Sequence, residues 1–116
     1  MDKIFSQIQK QVDDWAGQFE KPYFSPLSMV ATMSEETGEV ARVINNLYGD
    51  KKKKDSEDLK NLEEELCDLL FTIICMANAQ NISLDQAWQK KIGKIYSRDN
   101  NRFKRKDWQH IFMELL

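Results

Sequence analysis

Two short acidic stretches carry the chemistry of this sequence, SEETGEV at 34–40 and EEELCD at 63–68. The first interrupts an amphipathic pattern, SPLSMVATM before it and ARVINNLY after it. On a helical wheel advancing about 100° per residue, with Glu36 at the origin, Met29, Met33, Val40, Val43 and Leu47 fall within roughly 60° of it. Glu36 therefore stands in the middle of an apolar stripe and Glu39 at its edge. Glu35 turns about 100° aside, toward Arg42. The second stretch repeats the arrangement. Leu62, Leu69 and Met76 surround Glu65 within about 60°, and Asp68 follows one turn later, flanked by Thr72 and Asn61. Glu63 and Glu64 point elsewhere, to solvent or to the favourable end of the helix dipole. Each helix thus offers two carboxylates at spacing i, i+3, with Cβ atoms about 5–6 Å apart on one face.

Acids on packed faces need a reason. An unpaired carboxylate is costly to remove from water, and gathering four multiplies their repulsion. Neither apolar stripe carries a lysine or arginine at a facing position, so divalent cations are the natural counter-charge. Oxygen ligands without His or Cys favour a hard ion, Mg²⁺ or Mn²⁺, over Zn²⁺. Inward-facing carboxylates on neighbouring helices are a known way to build a metal site in a bundle. The alternative is that one or two of these acids are half-exposed at a bundle end. Ferritin-like di-iron chemistry usually needs Glu-x-x-His pairs, and the single histidine, His110, lies far from both stretches.

The elements that must position these acids are helices. Four glycines and two prolines punctuate the chain, and no segment alternates with period two. Ile4, Ile8, Val12, Trp15 and Phe19 mark a first helix, which the segment EKPYFSP interrupts at Pro22. Ser25 is the expected N-cap of a second helix with Pro26 at its first position and Gly49 as its stop. The lysine run KKKKD reads as a solvated loop. A third helix from about Ser56 is apolar over a wide arc and is expected to be the most buried. Ser83 with Gln86 forms a capping box for a fourth, LDQAWQKKIGKIYSR. The tail, about 107–116, is a short extra helix or an arm. The economical architecture is all-α, a single domain over 1–116 built as a four-helix bundle.

Composition sets the outer bounds. A chain of 116 residues can bury a real core, and its net charge of −2 gives no general pull toward nucleic acid or membrane. Cys67 and Cys75 lie inside an apolar helical pattern and read as buried, reduced thiols of a cytoplasmic protein. The opening stretch, MDKIFSQIQKQVDDW, has the pattern of neither a secretion signal nor a membrane span.

The spacing Glu35-Glu36-x-x-Glu39, followed by Glu65-x-x-Asp68, resembles the signature of the MazG-like nucleoside triphosphate pyrophosphohydrolases. The flanking segments KPYFSPLSMVATMSEETGEVARVINNLYGDKKKK, LEEELCDLLFTIICMANAQNISLDQA and KIYSRDNNRFKRK are similar to the short, single-domain YpjD-type members of that family. The resemblance spans roughly residues 8 to 107. It implies an all-α fold, Mg²⁺ or Mn²⁺ as cofactor, and hydrolysis of nucleoside triphosphates to the monophosphate and pyrophosphate. Glu36, Glu39, Glu65 and Asp68 match the family's metal ligands by position, and Glu35 matches the first acid of its motif. The off-face angle of Glu35 suits a role in orienting ligands or water.

Further expectations follow. Lys94, Arg98 and Arg102 recur every four residues and form one cationic stripe if the fourth helix continues. They are similar to the family's triphosphate-contacting positions, with Asp99 and Asn101 placed among them to position ligand groups. Lys104, Arg105 and Lys106 read as surface charges. Tyr23, Phe24 and Trp15 are candidates to stack on a base, Trp15 being the one expected to pack in the core. Wide apolar arcs, together with the resemblance, imply a homodimer or homotetramer. Two other readings compete: a non-catalytic helical module using the acids for metal-dependent assembly, and a nucleic-acid binder using residues 90–106. The second is weakened by the acidic balance and by the lack of aromatics interleaved with the stripe. Neither a membrane nor a stable nucleic-acid partner is expected.

Overall fold

The computed structural model describes residues 3–50 and 59–106. The lysine loop, the start of the third helix near Ser56 and the tail with His110 lie outside the described residues. Four helices are present and no strand among the described residues: α1 (Ile4–Ala16), α2 (Pro26–Tyr48), α3 (Leu59–Ala79) and α4 (Leu84–Asp99). The described chain divides between Ser83 and Leu84 into two compact units.

In the first unit α2 packs along α3, and α1 packs against α3. α1 ends earlier than its apolar spacing suggests. The Gly17 N–H donates to the Asp13 carbonyl at 2.8 Å, and then Gln18 and Phe19 close tight turns onto Trp15 and Ala16 at 3.3 and 3.1 Å. Such three-residue bonds tighten and end a helix, so Phe19 falls outside it and Pro22 follows the break rather than causing it. α2 begins as its sequence dictates. Ser25 is extended, its hydroxyl accepts the Ser28 N–H at 3.4 Å, and Pro26 opens the first turn. The stop at Gly49 is extended (φ −85°, ψ 179°) rather than left-handed. Glycine is required there because a Cβ would come within 2.6 Å of the Asn45 carbonyl oxygen.

α3 closes with a Schellman motif. Ile82 N–H donates to the Ala77 carbonyl at 2.8 Å, Asn81 N–H to that of Asn78 at 3.1 Å, and Asn81 sits at φ 55°. The core of this unit is small: Val12 and Ala16 from α1, Met29 and Val43 from α2, Ile74 and Ala77 from α3. α3 carries two buried residues, Ile74 and Ala77, and its apolar arc is wider than α1 and α2 can cover within one chain. Leu66 and Leu70 remain 49% and 46% exposed. On α2 the buried line runs through Met29, Val43 and, in the last turn, Asn46 rather than Leu47. The cysteine expectation also needs correction: Cys67 is exposed and Cys75 only half-buried, both as free thiols.

The second unit contains α4, which has Asp85 in its first turn and Arg98 in its last, each favourable to the helix dipole. No residue of α4 is buried. The helix ends at Asp99, so Arg102 stands in the following turn and the expected helical stripe through Lys94, Arg98 and Arg102 is broken. No single helix among the described residues is long and apolar enough to cross a membrane.

Candidate metal and nucleotide site

The packing of α2 on α3 brings three of the predicted acids together. Carboxylate oxygens of Glu36, Glu65 and Asp68 lie within 4.8 Å of one another. Glu36 and Glu65 are half-buried and Asp68 is exposed. Position follows from the wheel, since Glu36 lies one heptad from both Met29 and Val43, which are buried on the same line. Glu35, Glu63 and Glu64 are exposed.

Glu39 stands apart. It is exposed and forms an i, i+3 ion pair with Arg42, whose Nε lies 2.9 Å from its carboxylate. Arg42 was expected nearer Glu35, and the flexible guanidinium reaches the acid one turn before it instead. Glu39 still contributes to the field at the cluster. The Glu65 carboxyl is held above its ordinary value by loss of water, then by the charges of Asp68, Glu39 and Glu36, with Arg42 offsetting part of the effect. Protein charges therefore leave an excess of negative potential where the three carboxylates meet.

These residues fit a hard divalent cation. The donors are all oxygen, and their separation is on the scale of two metal–oxygen bonds of about 2.1 Å each. No histidine or cysteine belongs to the cluster, which disfavours zinc.

A cavity of about 580 Å³ opens beside the acids, with Glu36 and Asp68 among its lining residues. Its other walls are largely aromatic. Trp15 and Phe19 meet edge-on at 5.1 Å, and Trp15 meets Phe71 at 5.9 Å. Trp15 is 53% exposed, so it lines the cavity and does not serve as core. Tyr23 and Phe24 also line it. The Tyr23 hydroxyl donates to Asp13 at 2.5 Å and accepts from Asn78 Nδ2 at 3.0 Å. Burial, and then the bond to Asp13, push its pKa up to about 12.

Sequence reasoning passed over Phe71, Cys75 and Lys21 as residues lining the cavity. The helical signal for two of them was available. Phe71, Thr72 and Cys75 follow Asp68 at i+3, i+4 and i+7, as Thr32 and Met29 precede Glu36 at i−4 and i−7. A wheel centred on each acid therefore reads out the cavity wall as well as the cluster.

The remaining predicted residues belong to the second unit. Arg98 pairs with Asp99 at 2.9 Å, and Arg102 reaches the same carboxylate at 3.6 Å. The hydrogen bond from Arg98 holds the Asp99 carboxyl below its ordinary value. Asn101 and Arg102 line a shallow depression with Phe103, Lys104 and Arg105. Lys94 is exposed on α4.

Comparison with known proteins places this geometry in a lineage. The MazG nucleotide pyrophosphohydrolase domain matches residues 24–103, a span that contains both acidic stretches. The uncharacterized protein YpjD of Bacillus subtilis (strain 168) is 47% identical over 106 residues, covering 91% of this chain and 96% of its own. The crystal structure of Bacillus subtilis YpjD, described as a candidate pyrophosphatase, superposes with a TM-score of 0.73 at 48% identity. That superposition covers 81% of this chain and 96% of YpjD. The Bacillus-conserved MazG protein, a nucleotide pyrophosphohydrolase, gives a TM-score of 0.70 at 44% identity over 81% and 90% of the two chains. The all-α fold, the two acidic stretches and these similarities together show that the chain belongs to the MazG nucleotide pyrophosphohydrolase family.

Proposed function

We propose that this protein hydrolyses nucleoside triphosphates, ribo- or deoxyribo-, to the monophosphate and pyrophosphate, using Mg²⁺ or Mn²⁺. The observation that carries the reading is the juxtaposition of Glu36, Glu65 and Asp68 with an aromatic-walled cavity in the same unit. Glu36, Glu65 and Asp68 would hold the cation, with Glu39, paired with Arg42, as the further ligand proposed beside them. Bound there, a divalent cation supplies charge neutralisation for phosphate oxygens and an acidified water for attack at the α-phosphorus. Glu35, exposed beside Glu36, orients that water. Trp15, Phe24 and Phe71 offer ring faces and edges to a base.

Lys94, Arg98, Asn101 and Arg102 are assigned to the phosphates. Of these, Arg98 and Arg102 must exchange a bond to Asp99 for one to the nucleotide. The exposed apolar side chains of α3 support a homodimer or homotetramer. The reading fits removal of unwanted triphosphates from the cytoplasmic pool, without nucleic acid or membrane as partner.

Pyrophosphate release from a panel of ribo- and deoxyribonucleoside triphosphates, with and without Mg²⁺, tests it. Metal-dependent release from at least one substrate is expected. Metal binding without release from any of them would leave the non-catalytic assembly module as the better description.

A further inference from the structure

One wall of the cavity is anchored by a hydrogen-bond network. Residues between α1 and α2 lack regular structure, yet Lys21, Tyr23 and Phe24 from this segment all line the cavity. Phe24 is 66% exposed, so burial does little to fix it. What fixes the segment is the Tyr23 hydroxyl. Its hydrogen goes to Asp13 Oδ1 at 2.5 Å, and one lone pair receives Asn78 Nδ2 at 3.0 Å. The Asn78 amide also donates to the Gln9 carbonyl at 2.9 Å, while its oxygen accepts Gln9 Nε2 at 2.9 Å. Gln9 Nε2 reaches the Ile82 carbonyl at 2.8 Å, at the Schellman close of α3. A single phenol thus ties together α1, the end of α3 and the segment leading into the acidic helix α2.

Resting on the nucleotide-binding reading of the cavity, we propose that Asp13 and Asn78 are positioning residues for substrate. Through the Tyr23 hydroxyl they hold residues 21–24 as a wall of the cavity, and so set nucleotide affinity without touching the nucleotide. Tyr23 accordingly contributes its ring to the wall and its hydroxyl to the protein. With its hydrogen committed to Asp13, it has none left to donate to a ligand.

A double-mutant cycle on the full chain tests this. Asp13 is exposed, so Asp13→Ala should fold, which its thermal midpoint verifies. Asp13→Ala, which loses one hydrogen bond of the phenol, should raise KM roughly 3–10-fold, and Tyr23→Phe, which loses the bonds to both Asp13 and Asn78, at least as much, with kcat little changed. Asp13→Asn keeps an acceptor for the phenol and should stay near wild type. The double variant should be no worse than Tyr23→Phe, because Asp13→Ala removes only a bond that Tyr23→Phe already lacks. Amide exchange at residues 20–25 should quicken in both singles without nucleotide. The Kd of a non-hydrolysable triphosphate analogue, read from tryptophan fluorescence, should follow KM. Fully multiplicative effects, an Asp13→Asn variant as impaired as Asp13→Ala, or an unchanged KM would overturn the proposal. A chain that binds the analogue with the expected cycle but releases no pyrophosphate would uphold the positioning network and remove the pyrophosphohydrolase reading. Failure to bind any triphosphate would remove both.

Discussion

Glu36 on α2 and Glu65 on α3 bring carboxylate oxygens within 4.8 Å of each other, with Asp68 inside the same distance. Two helices that pack along each other have therefore spent part of their interface on like charges. Hydrophobic packing around Met29, Val43 and Ile74 must hold the acids together against their repulsion. A site held this way is pre-formed for a cation, because the protein and not the ligand brings the carboxylates together.

The first consequence is a ranking of the acids. With these acids as the proposed cation ligands, Glu36→Gln, Glu65→Gln and Asp68→Asn should each lower kcat/KM on the order of 10²–10³-fold. Glu63→Gln, on the exposed side of the same helix, should be nearly silent. Glu39→Gln should fall between these, since Glu39 contributes charge at Glu65 but is paired with Arg42. Steady-state kinetics at saturating Mg²⁺ checks the order. A Glu63→Gln variant as damaged as Glu65→Gln would put the wrong face of α3 toward α2.

Stability of the metal-free protein should move the other way. Glu65 is the cluster acid whose carboxyl is pushed up, first by loss of water and then by its acidic neighbours. A raised carboxyl favours the folded state when protonated, and that stabilisation fades as pH rises through its folded value. At neutral pH the ionised group is therefore a liability, and Glu65→Gln should raise the thermal midpoint of the metal-free protein. The gain should shrink as pH is lowered toward the ordinary glutamate range. Added Mg²⁺ should raise the wild-type midpoint and raise that of Glu65→Gln much less. Calorimetric melts in chelator and in Mg²⁺, across pH 4.5 to 7.5, measure both.

The two thiols offer a probe that needs no turnover. Cys67 is exposed and Cys75 is half-buried, with burial pushing its thiol up. Cys75 also lines the cavity, whereas Cys67 does not. A thiol reagent should modify Cys67 first, and a bound triphosphate should slow the modification of Cys75 alone. Mass mapping of the labelled peptides separates the two sites. Equal protection of both cysteines would mean that nucleotide binding occludes the other face of α3 as well.

How much of this was legible in the sequence depends on what fixed each feature. Periodicity located the helices and identified Glu36 and Glu65 as acids on packed faces, since those properties are local to one helix. It could not say that Arg42 would bend to Glu39, because Glu39 is exposed and a long, flexible side chain chooses among its neighbours. Nor could it end α1 at Ala16, where backbone bonds at Gly17, Gln18 and Phe19 override an apolar spacing that continues to Phe19. Trp15 was misplaced for a related reason. Its spacing is that of a core residue, but the segment after Ala16 turns away and leaves the indole facing a cavity. The Tyr23–Asp13–Asn78 network joins residues distant in the chain, so no pattern within one element announces it.

Gly38, inside the acidic stretch of α2, gives a final test that also bears on assembly. A mid-helix glycine costs about 0.5–1 kcal/mol relative to alanine through backbone entropy. Within one chain a Cβ at Gly38 meets nothing within 4 Å, so no packing explains its presence. Gly38→Ala should therefore stabilise an isolated chain by that amount, raising the thermal midpoint a few degrees. Gly49→Ala makes the opposing control, since its Cβ would meet the Asn45 carbonyl oxygen at 2.6 Å and the variant should melt lower. If Gly38→Ala destabilises instead, and more strongly at high protein concentration, a second chain must approach α2 at Gly38 closely enough to exclude a methyl group. Melts at two concentrations beside sedimentation of both variants decide between these outcomes. Exposed Leu66 and Leu70 on α3 already favour a partner, and Gly38→Ala asks whether the partner's surface extends to the acidic helix.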